Sequence, residues 1–377
     1  MHRKLSTAIV VIFPLILTFS ACSLFRTKSA TSVKIGIPAP LSLGSAEYGE
    51  FMKQGATIAA DEINAQGGVN GRKLELVFED SQGQPAEATK TAERLLIRDQ
   101  VSVITDAFNS SATLAVAQVA KRENAPMVVG LSTADAITAS GNPNVFRVCA
   151  PNTQLSELLS EYLLQHNKPA TVAYVYEKTD FGTNLANVVR QRLESGGVKT
   201  VAYEGINQHD TDFLSLISKL KTLKPEMVFF AVIADSALPF LRQAQQADFK
   251  ARWANAVSLS NPKFLQDAGN LADGFIGITH FEATTAQGAA KTFVDDFKSK
   301  YGQTPTHYSA VYYDTIRVIA DAMRRGGVDR QSILNALKTT DFQGITGQIR
   351  FNNAGQASIG TVVFKWSNNT KEVLQVN

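Results

Sequence analysis

Cysteine is nearly absent: Cys22 and Cys149 are the two in 377 residues. If Cys22 is consumed by N-terminal processing, no internal disulfide can form, and Cys149, in the apolar-leaning run 145–149, reads as a buried filler and not as a reactive thiol. The histidines are few and scattered. His166, His209, His280 and His307 have no spacing that suits a metal-binding helix or a catalytic triad, so they are expected to be exposed or loop residues, and no metal or cofactor is expected. Neither Ser110 nor Ser132 has the flanking glycines of a strained nucleophile turn, which argues against a hydrolase. The glycines of 67–73 follow a helical pattern and precede a strand, the reverse of a phosphate loop. An excess of charge of one sign is also missing. Removing residues 1–21 takes away Arg3 and Lys4 of the 37 basic residues, leaving 35 against 34 acidic ones, which excludes nucleic-acid binding as an electrostatic expectation.

Long apolar runs are missing too. The longest, 8–19, follows His2, Arg3 and Lys4 and ends in Ser20-Ala21-Cys22: a secretory signal, too short for a comfortable membrane span. Residues 23–32 are small, polar and weakly basic, as a tether is.

The full chain is 44% hydrophobic and 19% charged, as in a soluble globular protein, and what remains after the tether is long enough for two cores. Its organising stretch is 101–135. Two short apolar strands, 101–105 and 127–129, each run into hydroxyl-bearing residues that open a helix: Asn109, Ser110 and Ser111 in one case, Ser132 and Thr133 in the other. Unpaired N–H groups at a helix start can be capped by Ser or Thr or can bind an anion. Both readings stand for each hydroxyl. In open parallel sheets, ligands bind outside the carboxyl ends of strands, where these loops lie.

Around this stretch the pattern predicts strands at 33–37 and 74–79, a helix carrying Tyr48, Ala56, Ala59 and Ile63 on one stripe, and a helix from Pro85 to about Arg98. The plan restarts after Pro151, with strands at 171–176, 201–204 and 227–233 and helices ending at Gly196, covering 213–223, and covering 237–247. Helices at 290–301, 309–325 and 330–338 and strand-like runs at 348–351 and 360–366 complete an α/β chain of two lobes, each a parallel sheet flanked by helices.

Four stretches, INAQGGVNGRKLELVFEDSQGQP (63–85), NSSATLAVAQVA (109–120), TDFLSLISKLKTLKPEMVFF (211–230) and AVYYDTIRVIADAM (310–323), resemble the solute-binding proteins of the leucine/isoleucine/valine-binding type. The resemblance covers essentially the whole chain after the signal. It implies a type I periplasmic-binding-protein fold with a three-segment hinge near Pro151, Thr279 to Glu282 and Ile345. The implied lobes are 33–151 with 282–345, and 152–281 with 346–377, after a signal of 1–21 and a tether of 22–32. Ser20-Ala21-Cys22 resembles a lipobox, implying lipid attachment at Cys22 and an extracytoplasmic, membrane-anchored monomer. The implied function is capture of a small polar solute, an amino acid of the branched-chain kind, by clamshell closure, for delivery to an ABC permease of the inner membrane. No enzymatic role is implied.

Residue by residue, Ser110, Ser132 and Thr133 match positions that hold the ligand's α-carboxylate in this family. Leu131 falls where a carbonyl helps to hold the ammonium, and Tyr48, Phe181 and Tyr308 match aromatic walls. The chain departs from the pattern where the ammonium's acid belongs, since 254–261 has no Asp or Glu. An unpaired buried ammonium costs several kcal/mol. Asp235 and Asp106 are therefore candidates to replace that acid, against readings as a helix N-cap and a loop carboxylate, and Asn255 is a further candidate contact. The same gap leaves open an amide, urea or a small carboxylic acid as ligand, and the clamshell also admits a sensor without a transport role.

Overall fold

A computed structural model describes residues 32–368 and 370–376. The expected signal, most of the tether and Cys22 lie outside these residues.

The first half alternates strands and helices: β1 (Ser32–Ala39), α1 (Ala46–Ala65), β2 (Lys73–Asp80), α2 (Pro85–Glu93), β3 (Val103–Thr105), α3 (Ser110–Arg122), β4 (Met127–Val129), α4 (Ala136–Ala139) and β5 (Val145–Arg147). Its five strands form one parallel sheet in the order β2-β1-β3-β4-β5. The central strands are buried on both faces, which is why β3 and β4 read as Val-Ile-Thr and Met-Val-Val, β-branched or apolar throughout.

The second half runs through α5 (Asn152–His166), β6 (Thr171–Glu177), α6 (Asp180–Ser195), β7 (Lys199–Ile206), α7 (Leu214–Leu223), β8 (Met227–Ala231), α8 (Ala234–Gln246), β9 (Arg252–Asn255), α9 (Pro262–Ala268) and β10 (Ile276–Thr279). After it come α10 (Ala289–Tyr301), α11 (His307–Gly326), α12 (Arg330–Leu337), β11 (Asp341–Gly344), β12 (Gly347–Arg350), β13 (Val362–Ser367) and β14 (Thr370–Val376). The second sheet has the order β14-β13-β10-β9-β8-β6-β7, with β13 and β14 added antiparallel to an otherwise parallel core. Helix α11 returns to the first sheet, where it packs so closely on α1 that a Cβ on Gly55 would lie 2.0 Å from the Ser309 carbonyl oxygen.

Most expected elements are present, with additions that include β5, α5, α9, β10, β11 and β14. The strand-like run at 348–351 is present as β12, which among the described residues pairs only with β11, in a hairpin apart from the two large sheets. Ile345 sits in the turn of that hairpin, and its N–H donates to Asp314 Oδ1 at 3.0 Å. The chain reaches the second sheet only at β13, after Gln356 has formed a bridge beside Arg147. From β12 the chain runs through 351–362 to β13. The segment between β10 and α10 is buried at Thr279, His280 and Glu282, and Glu282 pairs with Lys371 at 3.1 Å. His307 is buried in the first turn of α11, which corrects its reading as an exposed or loop residue; His280 is a loop residue after β10, and is buried as well. Cys149 is fully buried and its thiol is pushed up to about 12 by that burial. No helix among the described residues is long and apolar enough to cross a membrane.

Candidate functional site

The carboxyl ends of β3 and β4 face those of β6, β8 and β9 across a narrow cavity. Its lining is Phe108, Asn109, Ser110, Leu131 and Thr133 from the first sheet's loops, Glu177, Phe181, Ile233, Val257 and Ser258 from the second's, and Tyr308 at the start of α11. Groups of the two halves meet around it. The Ala234 N–H donates to the Tyr48 hydroxyl at 3.2 Å, the Asp180 N–H to Ser111 Oγ at 3.1 Å, and the Asp135 N–H to Asn184 Oδ1 at 3.1 Å.

At the first-sheet side, the competition between capping and ligand contact is resolved by Asn109. Its side chain accepts the Ser111 N–H at 2.9 Å and caps α3, which leaves Ser110 on the cavity wall. The Ala134 N–H reaches the Ser110 hydroxyl at 3.3 Å, so the two loops touch. The expected second helix, with its start near Ala134, is present as the single turn α4 from Ala136, and Thr133 lies in the loop before it. That loop is held from behind by Arg147, whose Nη1 donates to the Ala134 carbonyl at 2.6 Å and the Ser132 carbonyl at 3.2 Å. Phe108 adopts φ 64°, a strained conformation for an aromatic residue, and stacks on Tyr48 with centroids 4.4 Å apart.

Of the expected residues, Ser110, Leu131, Thr133, Phe181 and Tyr308 line the cavity. Five others do not. Tyr48 is buried behind Phe108 and Tyr308, so it supports the aromatic wall from the far side. Ser132 turns inward, its hydroxyl 2.8 Å from the Phe108 carbonyl and 2.6 Å from Thr113 Oγ1. Asp106 is fully buried and accepts the N–H groups of Gly130 at 2.8 Å and Leu131 at 3.2 Å, with the Tyr312 hydroxyl 3.1 Å away. Its carboxyl is raised by burial, against those hydrogen bonds, and it serves the loop. Asp235 faces His209 at 3.1 Å outside the cavity lining, and it does not cap α8. Asn255 is spent within its own sheet, donating to the Phe230 carbonyl at 2.7 Å and accepting the Leu259 N–H at 2.9 Å.

Glu177 escaped the sequence reading, which placed it at the start of a polar loop. It is the last residue of β6, is 1% exposed, and lines the cavity. Its Oε1 accepts the Ile233 N–H at 3.1 Å and the Ser236 hydroxyl at 3.3 Å, whereas Oε2 has no hydrogen-bond partner among the described residues. Burial is the main cause that raises its carboxyl to about 7, with Asp235 adding to it and the two hydrogen bonds opposing. The signal was an acid at the carboxyl end of an otherwise apolar strand. No group of three or more possible metal ligands occurs among the described residues.

Two lobes whose strand ends close on a small, partly polar cavity define a ligand-capturing clamshell. The periplasmic binding protein family matches residues 32–371, and the chain belongs to it. It is a substrate-binding protein of the kind that serves ABC transporters, works outside the cytoplasm, and is not an enzyme. It is 28% identical over 340 residues to a leucine-, isoleucine-, valine-, threonine- and alanine-binding protein of Pseudomonas aeruginosa, covering 90% of this chain and 91% of that one. A leucine-binding protein of Thermotoga maritima superposes with TM-score 0.86 at 26% identity, covering 91% and 98% of the two chains. A branched-chain amino-acid transporter substrate-binding protein of Streptococcus pneumoniae, in complex with isoleucine, gives TM-score 0.84 at 26% identity, covering 91% and 99%.

Proposed function

We propose that this protein captures a small aliphatic amino acid, branched-chain or related, and presents it to an ABC permease of the inner membrane as a lipid-anchored monomer held through Cys22. The observation that carries the reading is the division of the cavity. The first half supplies hydroxyls at the amino end of α3 and the loop after β4, Ser110 and Thr133, while Phe108, Phe181, Ile233, Val257 and Tyr308 supply apolar wall. That is the chemistry of a carboxylate at one end and an aliphatic side chain at the other.

In this reading the lobes are 33–151 with the segment from 282 to the passage at 351–362, and 152–281 with the remainder. First-lobe groups take the carboxylate, and the second lobe then covers the ligand with Phe181, Ile233 and Val257, excluding water and strengthening each hydrogen bond. The bonds from Ala234 to Tyr48 and from Asp180 to Ser111 form on closing. Relatives named for leucine, isoleucine and valine support the ligand class.

A thermal-shift screen tests it. Purified protein, unfolded and refolded to strip bound solute, is exposed to amino acids, amides, urea and small carboxylic acids. A ligand at a hundred times its Kd adds about 2.7 kcal/mol, a rise of several degrees. Aliphatic amino acids are expected to give it; a response confined to amine-free compounds overturns the reading.

A further inference from the structure

Glu177 has a cavity position, a used oxygen and an unused one. Its Oε1 is held by the Ile233 N–H and the Ser236 hydroxyl, so the carboxyl cannot turn away, and Oε2 is buried with no partner among the described residues. A buried carboxylate needs a charge partner or a donor. The charged side chain nearest in sequence to these donors is Asp235, of like sign and paired with His209. The loop after β9, where Val257 and Ser258 line the same cavity, is neutral. Tyr176 pairs with Ala231, and Phe230 with Asn255, so Glu177, at the end of β6, stands two strands from the end of β9, about 10 Å across the sheet.

We propose that Glu177 is the counter-charge for the ligand's ammonium, and that it restricts closure to ligands carrying one. The inference rests on the amino-acid reading above. A closed cleft without a cation would hold Glu177 desolvated, and burial raises its carboxyl to about 7, so closure around an amine-free ligand is disfavoured at neutral pH. An ammonium against Oε2 removes that penalty. The charge lies on β6 and not after β9, so one side chain reports whether the bound solute carries an amine.

The test is titration calorimetry with leucine and with 4-methylpentanoate, which has the same skeleton and carboxylate without the amine. Wild type is expected to bind leucine at least about a hundredfold more tightly. Glu177→Gln should lose most of that preference by weakening leucine alone, with an unchanged circular-dichroism spectrum, and Glu177→Ala gives a second test should the amide misfold. A variant that still prefers leucine by the wild-type factor overturns the inference while leaving the amino-acid reading intact. Wild type that binds 4-methylpentanoate as well as leucine overturns it without any variant. If wild type binds no aliphatic amino acid, the functional reading fails, and the ammonium role fails with it.

Discussion

Asp106 Oδ1 accepts the backbone N–H of Gly130 at 2.8 Å, tying the loop after β3 to the loop after β4. The residue type leaves no alternative at position 130, where an added Cβ would come within 3.0 Å of Tyr312 and 2.9 Å of Thr315 Oγ1. Loop geometry on the first-lobe side therefore depends on a buried carboxylate that never meets the cavity.

Replacing Asp106 by Ala strands the N–H groups of Gly130 and Leu131 and the Tyr312 hydroxyl in a dry interior. A stability loss of about 3 kcal/mol or more is expected in urea unfolding. A loss below about 1 kcal/mol would show that water reaches these groups.

Ser110→Ala should act on binding and not on folding. Asn109 already caps α3, and the Ala134 contact to Ser110 is long at 3.3 Å. Ligand affinity is expected to weaken by about 1 to 3 kcal/mol, measured by calorimetry, with the melting temperature of ligand-free protein almost unchanged. A stability loss with unchanged affinity would make Ser110 a structural hydroxyl.

His280 and His307 lie buried with ring centroids 5.9 Å apart where the chain leaves the second sheet, and Ser260 Oγ is 3.0 Å from His307 Nδ1. Burial lowers His280 to about 4, with Arg147 adding to the effect, and burial and then His280 lower His307 well below its usual value. The unfolded chain protonates near 6.5, so it binds protons that the folded chain refuses. Stability is therefore fullest above about pH 6.5 and falls as pH drops towards 4, by about 3 kcal/mol for His280 alone. Buried Asp314, raised to about 6 by desolvation, titrates with the opposite sign. The informative quantity is the difference between wild-type and His280→Leu unfolding curves over pH 4 to 7; parallel curves would refute the assignment.

Gly55→Ala should be among the costly small substitutions, because the new Cβ meets the Ser309 carbonyl oxygen at 2.0 Å where α1 crosses α11. Separating the two helices is expected to cost about 1 to 3 kcal/mol, read from the urea midpoint. A neutral result would mean that the helices can part without loss of packing.

The reading from sequence succeeded where local pattern and burial coincide. The unbroken apolar run Met-Val-Phe-Phe-Ala at 227–231 announces a strand covered on both faces, and the stripe through Tyr48, Ala56 and Ile63 announces a helix on a core. It missed β10 and β14, whose strand character depends on pairing partners distant in the chain. Nor does the local pattern tell that the helix before Ser140 amounts to one turn, its loop held by Arg147.

By itself the sequence determined the alternation of strands and helices, the two-lobe plan and the first-lobe hydroxyls, since these follow from periodicity and from residues adjacent in the chain. Only the tertiary structure decided which polar groups are free. Asp106, Asn255 and Ser132 look available along the chain but are consumed by backbone groups 24 or 25 residues away, whereas Glu177, unremarkable in sequence, lines the cavity and keeps one oxygen without a partner among the described residues. Hydrogen-bond satisfaction in a buried site is set by contacts across strands, and no local pattern records it.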